Sequence, residues 1–140
     1  MSEPRADVLN QVLAALSAAI PGVEVSPLGG EDDLRAQLQR APGVYVALQA
    51  IEWEPPRVHS DRRVQNEVWT WHVWVVGGRH GDVTTTTAFQ LAEWVKATLA
   101  GWQPVGHPGG HFQPVREWLA DLVYGGEVRV VELRWWRQWA

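Results

Sequence analysis

EVWTWHVWVV, residues 67–76, is the stretch on which the fold turns. Its strict alternation places Trp69, Trp71, Val73 and Val75 on one face of a strand and Val68, Thr70, His72, Trp74 and Val76 on the other. Large side chains on both faces predict a central strand covered twice, by the chain's own helices on one side and by a neighbouring molecule on the other.

Downstream, Gly77-Gly78-Arg79-His80-Gly81 ends this strand. Asp82 is a good N-cap for a helix running to about Ala100, with Thr84, Ala88, Leu91, Ala92, Val95 and Leu99 as its buried stripe and Gly101 as its stop. Phe89 and Trp94 fall off that stripe on opposite flanks, which makes them candidate contacts to another subunit. Residues 103–110 hold two prolines and three glycines and read as irregular. Phe112 to Tyr124 and Glu127 to Trp139 then read as two strands joined through Gly125-Gly126. Apolar parity switches between Val128/Val130 and Val131/Leu133/Trp135, which predicts a β-bulge near Val130 or Val131.

Upstream, Glu52 to Gln65 carries Pro55-Pro56 and many charges, so it is a loop or the tip of a long hairpin. Val44 to Ile51 is apolar enough for a central strand. Glu31-Asp32-Asp33 opens a helix through Arg40, its acidic first turn complementing the positive end of the helix dipole. Val23 to Pro27 reads as a short strand. Leu9, Val12, Leu13, Leu16 and Ile20 form one face of a first helix from Arg5 to Ile20, stopped by Pro21-Gly22. The order αβαββαββ, with neighbouring strands mostly joined as hairpins, predicts a two-layer α+β domain. Its mixed or antiparallel sheet has about five strands and carries helices on one face.

Composition narrows the function. At 140 residues the chain suits one domain with a core of its own. The absence of cysteine removes thiolate nucleophiles, disulfide frameworks and Cys-based zinc sites. No apolar run approaches the roughly 20 residues that span a bilayer, and the N-terminus lacks a signal-peptide apolar region, so the expected site of synthesis is the cytoplasm, with no membrane partner. A net charge of −4 argues against affinity built on phosphate neutralisation. The ten tryptophans exceed what one core comfortably holds, so some are expected at a subunit contact.

The sequence offers little catalytic chemistry. His59-Ser60-Asp61 contains the three residue types of a hydrolytic triad, but consecutive residues in an extended chain point apart. His107-Pro-Gly-Gly-His111 is the one metal-like spacing; zinc would need a further ligand, such as His80 or a carboxylate. Gly77 to Asp82 sits where phosphate loops occur but lacks the Gly-Lys-Ser/Thr that such loops use. The expectation is a non-enzyme with no cofactor and no metal, a metal-binding enzyme on His107 and His111 being the alternative. Arg57, Arg62 and Arg63 gather in the 52–65 segment, as a solvated tip or as an arm reaching acidic groups on a neighbouring subunit. The candidate contact residues are these three arginines with Trp69, Trp71, Trp74, Phe89, Trp94, Arg134, Trp135, Trp136, Arg137 and Trp139.

The order of elements, with DDLRAQLQRAPGVYVAL (32–48), VWTWHVWVVGGRHGD (68–82), LAEWVKATLAGWQP (91–104) and FQPVREWLADLVYGGEVRVVELRW (112–135), resembles the tail-terminator (tail-completion) proteins of Mu-like contractile phages and prophages. The resemblance implies a homo-oligomeric ring, normally a hexamer, at the neck end of a virion tail. Its implied partners are the tail tube protein, the sheath protein and the neck or head connector. It implies no sequence-specific nucleic-acid contact, the genome passing through the ring. Another neck or baseplate adaptor of the same particle is the alternative role. The tryptophan load and the HPGGH turn match no motif of that family.

Overall fold

The computed structural model describes residues 3–29, 42–54, 57–59, 62–77, 87–123 and 126–139. The elements are α1 (Pro4–Ala19), β1 (Glu24–Pro27), β2 (Gly43–Trp53), β3 (Arg57–His59), β4 (Arg62–Val76), α2 (Ala88–Leu99), β5 (Gln113–Val123) and β6 (Gly126–Trp139). Five strands pair in the order β1-β2-β4-β6-β5, and β3 pairs with the start of β4. Only β1 and β2 run parallel. The result is the expected α+β fold with a mixed sheet and helices on one face. The segment read as a second helix, Glu31 to Arg40, lies outside the described residues.

Helix α1 starts with Pro4 in its first turn, where a missing N–H costs nothing. Its buried line is Val8, Val12, Leu16 and Ile20. Leu9 and Leu13, expected at the centre of that face, sit on its half-buried flank. The face is therefore rotated by roughly 40°, less than the step of about 100° between successive residues, because α1 packs on both the sheet and α2 and so buries a strip set by that groove.

Helix α2 begins later than expected. Thr87 is its N-cap, with extended backbone and a side chain that accepts a hydrogen bond from the Gln90 amide at 3.1 Å. Asp82 and Thr84, read as cap and first buried position, lie outside the described residues. Thr84 to Thr87 are β-branched and Thr87 can cap through its own hydroxyl, so the helix starts where the threonines end. Gly101 follows the helix with φ of 79°, as a stop residue should. Gly77 allows the close approach at the other end, since a Cβ there would lie 2.3 Å from the Ala88 backbone nitrogen.

On the helix side of the sheet, Val44, Val46, Trp69, Trp71, Val73, Val75, Val131, Leu133 and Trp135 meet the buried stripes of α1 and α2. Phe112 completes an aromatic cluster, stacked on Trp135 at 5.9 Å and tilted against Trp71 at 6.0 Å, while Trp69 meets Trp135 edge-on at 5.1 Å. A second, smaller cluster of Tyr45, Val76 and Val128, with Leu28 and Trp74, lies on the opposite face.

These two clusters correct the expected bulge at Val130 or Val131. The β4–β6 register runs unbroken, with Trp74 opposite Val130 and Val73 opposite Val131. Both parities are apolar here because each face has its own apolar cluster. The register shifts fall instead in β2, between Leu48 and Ala50, and in β5, between Pro114 and Arg116 and between Leu119 and Asp121. The 52–65 segment is the hairpin tip rather than a loop: β2 and β4 pair as far as Trp53 and Glu67, and Arg57–His59 pairs with Arg62–Val64 beyond them. Strand β6 ends opposite Gln65, so this ribbon extends past the sheet.

Candidate interaction surface

The face of the sheet opposite α1 and α2 is built by strand alternation alone. Across one row stand His72, Glu132 and Arg116; on adjacent rows stand Trp74, Val130 and Trp118, then Thr70 and Arg134, then Val68 and Trp136. Register brings these residues together from β4 and from the β5–β6 pair, which follows it only after α2.

Glu132 is the centre of this face and is almost fully buried. His72 Nε2 lies 2.9 Å and Arg116 Nη2 lies 3.4 Å from its Oε1, while Arg134 Nη2 is 4.0 Å from Oε2. Burial pushes the carboxyl upward, but the hydrogen bonds from His72 and Arg116 outweigh it and hold the group below its ordinary value. Trp118 supports the cluster, with the His72 ring edge-on at 5.3 Å and the Arg116 guanidinium 4.7 Å over its own ring. Arg116 and Arg134 keep exposed guanidinium groups, and Trp74, Trp118 and Trp136 are each half-buried. A charged ladder flanked by half-buried indoles can make charge-assisted hydrogen bonds and aromatic contacts to another macromolecule.

The helix layer carries a second surface. On its sheet side, Lys96 of α2 bonds Glu117 of β5 at 2.9 Å, and Arg129 of β6 bonds the same carboxylate at 2.8 Å. Burial raises the Glu117 carboxyl, yet these two cations hold it below the ordinary value. On its outer side, α2 presents Phe89, 58 % exposed, and Trp94, 37 % exposed.

The expected contact residues divide sharply. Trp69, Trp71 and Trp135 are enclosed in the core with 1 % exposure or less, so they have no surface to give a partner. Their alternation could not separate a core face from an interface face, because both are apolar. Arg137 is spent within the fold: its Nη1 bonds Glu67 at 2.8 Å and its guanidinium lies 5.8 Å from the Trp69 ring centroid. Trp136 donates its indole N–H to Glu54 at 3.0 Å while staying half-buried. Trp74 and Arg134 lie on the sheet face opposite α1 and α2, and Phe89 and Trp94 on the outside of α2. Arg57, Arg62 and Arg63 are on the projecting ribbon by their backbone pairing, and their side chains lie outside the described residues. Trp139 pairs by its backbone with Gln65, and its side chain lies outside the described residues. Arg116, Trp118 and Glu132 were missed; the signal was their alternation, which acquires meaning only once β5 is paired with β6.

The HPGGH turn is tied to the fold on both sides, and its two histidines have different partners. His107 Nε2 lies 2.6 Å from Asp7 Oδ2, whose carboxyl this hydrogen bond, above all, lowers. Gln11 bonds Asp7 and both backbone groups of Val105, tying the turn to α1. His111 Nδ1 instead faces the Gly101 carbonyl at 2.8 Å. On the far side, Gly110 N donates to the Trp136 carbonyl and Gln138 N to that of Pro108, so the turn continues the line of β5 along the end of β6. A depression of about 510 Å³ opens between Gln103, Pro104, His107, Pro108 and Gln138. Among the described residues no group of three or more His, Asp or Glu side chains could hold a metal ion. No described helix is long and apolar enough to cross a membrane. His59 lies in β3, and Ser60 and Asp61 lie outside the described residues.

Comparison with protein-family models and with curated proteins finds no match for the chain.

Proposed function

We propose that this chain is a non-enzymatic assembly protein that closes into a homo-oligomeric ring, a hexamer by the family it resembles. The ring caps the end of a phage-type tail tube, ends polymerisation of tube and sheath, and presents its other side to the neck or head connector. The observation that carries the reading is the placement of interface-type side chains on two different surfaces. Trp74, Trp118, Trp136, Arg116 and Arg134 occupy the sheet face away from the helices, and Phe89 and Trp94 occupy the outside of α2. Head-to-tail association needs two unlike patches on one subunit, and it stops growing only where rotation closes it. Half-buried indoles and exposed arginines are the side chains enriched at such contacts.

The test is assembly. Light scattering and negative-stain microscopy of the purified full chain should give rings of discrete mass, and adding it to polymerising tube protein should shorten and cap the tubes. A chain that stays monomeric and leaves tube length unchanged refutes the proposal.

A further inference from the structure

We infer that the outer edge of β5 takes an added β-strand from an extended acidic segment of another protein. Strand β5 is the last of the sheet, and among the described residues its backbone pairs with β6 alone. Every second residue of such an edge turns its N–H and C=O away from the sheet, where an incoming chain can pair with them. Sheets blunt an exposed edge with proline and with bulges, and β5 has Pro114 and two register shifts. Between those shifts, however, Arg116 to Leu119 pair regularly with Glu132 to Arg129. The blunting therefore bounds a short regular run and leaves that run open.

The side chains on the two faces of the run select what it takes. On the face away from the helices, the Arg116 side chain is 66 % exposed. Its hydrogen bond to Glu132 is long, at 3.4 Å, and Glu132 also has His72 Nε2 at 2.9 Å and Arg134 Nη2 at 4.0 Å. Two guanidinium groups thus share one carboxylate, so Arg116 can turn to an outside acid while Glu132 keeps His72 and Arg134. On the helix side, Glu117 is satisfied by Lys96 and Arg129. Leu119, of the same parity as Glu117, is 50 % exposed. Phe89 precedes Lys96 by about two helical turns and so shares the flank of α2 from which Lys96 reaches β5. Phe89 is exposed as well, which makes the helix side of this edge apolar. The strand that fits carries an acidic residue on the side of Arg116 and an apolar one on the side of Leu119, the alternation that an extended chain supplies by its own period. This contact goes beyond the ring reading and does not depend on it, since a single subunit has the whole edge.

The test uses the full chain and a synthetic peptide of about eight residues alternating Glu and Val, with an alternating Lys and Val peptide as its control. Titration calorimetry at low salt should find the Glu peptide bound at least about tenfold more tightly than the Lys peptide. Hydrogen exchange should slow at alternate amides between Arg116 and Leu119 when the Glu peptide is present. Methylating the backbone nitrogens of that peptide keeps its charges, removes its strand-pairing donors and should abolish binding. Arg116→Gln should weaken binding by about tenfold, with near-ultraviolet circular dichroism showing the chain still folded. A Glu peptide that binds no better than the Lys peptide, or that binds as well with its nitrogens methylated, overturns the proposal. Protection of these β5 amides in an assembled ring before any peptide is added also overturns it, by assigning the edge to a second copy. A chain that never assembles but binds the Glu peptide through these amides refutes the ring reading and supports this one.

Discussion

Replacing Trp135 with alanine separates a core residue from an interface residue in a single measurement. Trp135 is fully buried, meets Trp69 edge-on at 5.1 Å, stacks with Phe112 at 5.9 Å and donates its indole N–H to the Gly110 carbonyl at 2.9 Å. Truncating a buried tryptophan to alanine costs about 3–5 kcal/mol in transfer and cavity terms. The stranded Gly110 carbonyl adds about 1 kcal/mol, because it loses its indole donor beside the sheet. The sum is about 4–6 kcal/mol, a large part of the roughly 5–15 kcal/mol that holds a domain together. Trp135→Phe keeps a ring against Phe112 but loses the hydrogen bond and some volume, and should cost about 2 kcal/mol. Urea unfolding followed by near-ultraviolet circular dichroism reads both values, using variants at a concentration where the chain is monomeric. A Trp135→Ala variant that loses less than about 1 kcal/mol as a monomer but fails to associate would refute the core assignment and return Trp135 to the interface.

Two other consequences can be checked on the same material. The Glu117 and Glu132 carboxyls are held below their ordinary value in the folded chain. In the native state they therefore bind protons less readily than in the unfolded one, and the stability they contribute is present above the ordinary carboxylate range and lost as pH falls through their folded values. Urea midpoints between pH 7 and 3 should fall with acid, and Glu117→Gln with Glu132→Gln should flatten that fall; an unchanged slope would contradict the ion-pair geometry. In Gly109→Ala a Cβ would stand 2.1 Å from the Trp136 carbonyl oxygen, so the HPGGH turn must lift from β6 at a cost of about 2–3 kcal/mol. Hydrogen exchange at the Gly110 and Gln138 amides should accelerate, and unchanged protection there would show that the turn is not packed as described.

Much of the architecture was legible in residue order. Alternation at 67–76, the 3.6-residue stripe ending at Gly101 and the paired C-terminal strands are local patterns, and local patterns survive tertiary packing because each is set by the backbone's own period. Where α2 begins and which residue centres the α1 face were less legible. Several starts compete within one turn, and packing selects among them.

The candidate surfaces lie on the other side of that divide. By itself the sequence determined that the strand at 67–76 has two loaded faces, that Phe89 and Trp94 fall off the α2 stripe, and that three arginines gather near the hairpin tip. Which face is core was decided only by the tertiary structure, because burial of Trp69, Trp71 and Trp135 depends on helices distant in sequence. Pairing decided the rest: Glu132 finds His72, sixty residues away, and Arg116 only when β4, β6 and β5 lie side by side. Alternation says that a side chain has a face, and only register across strands says what shares it.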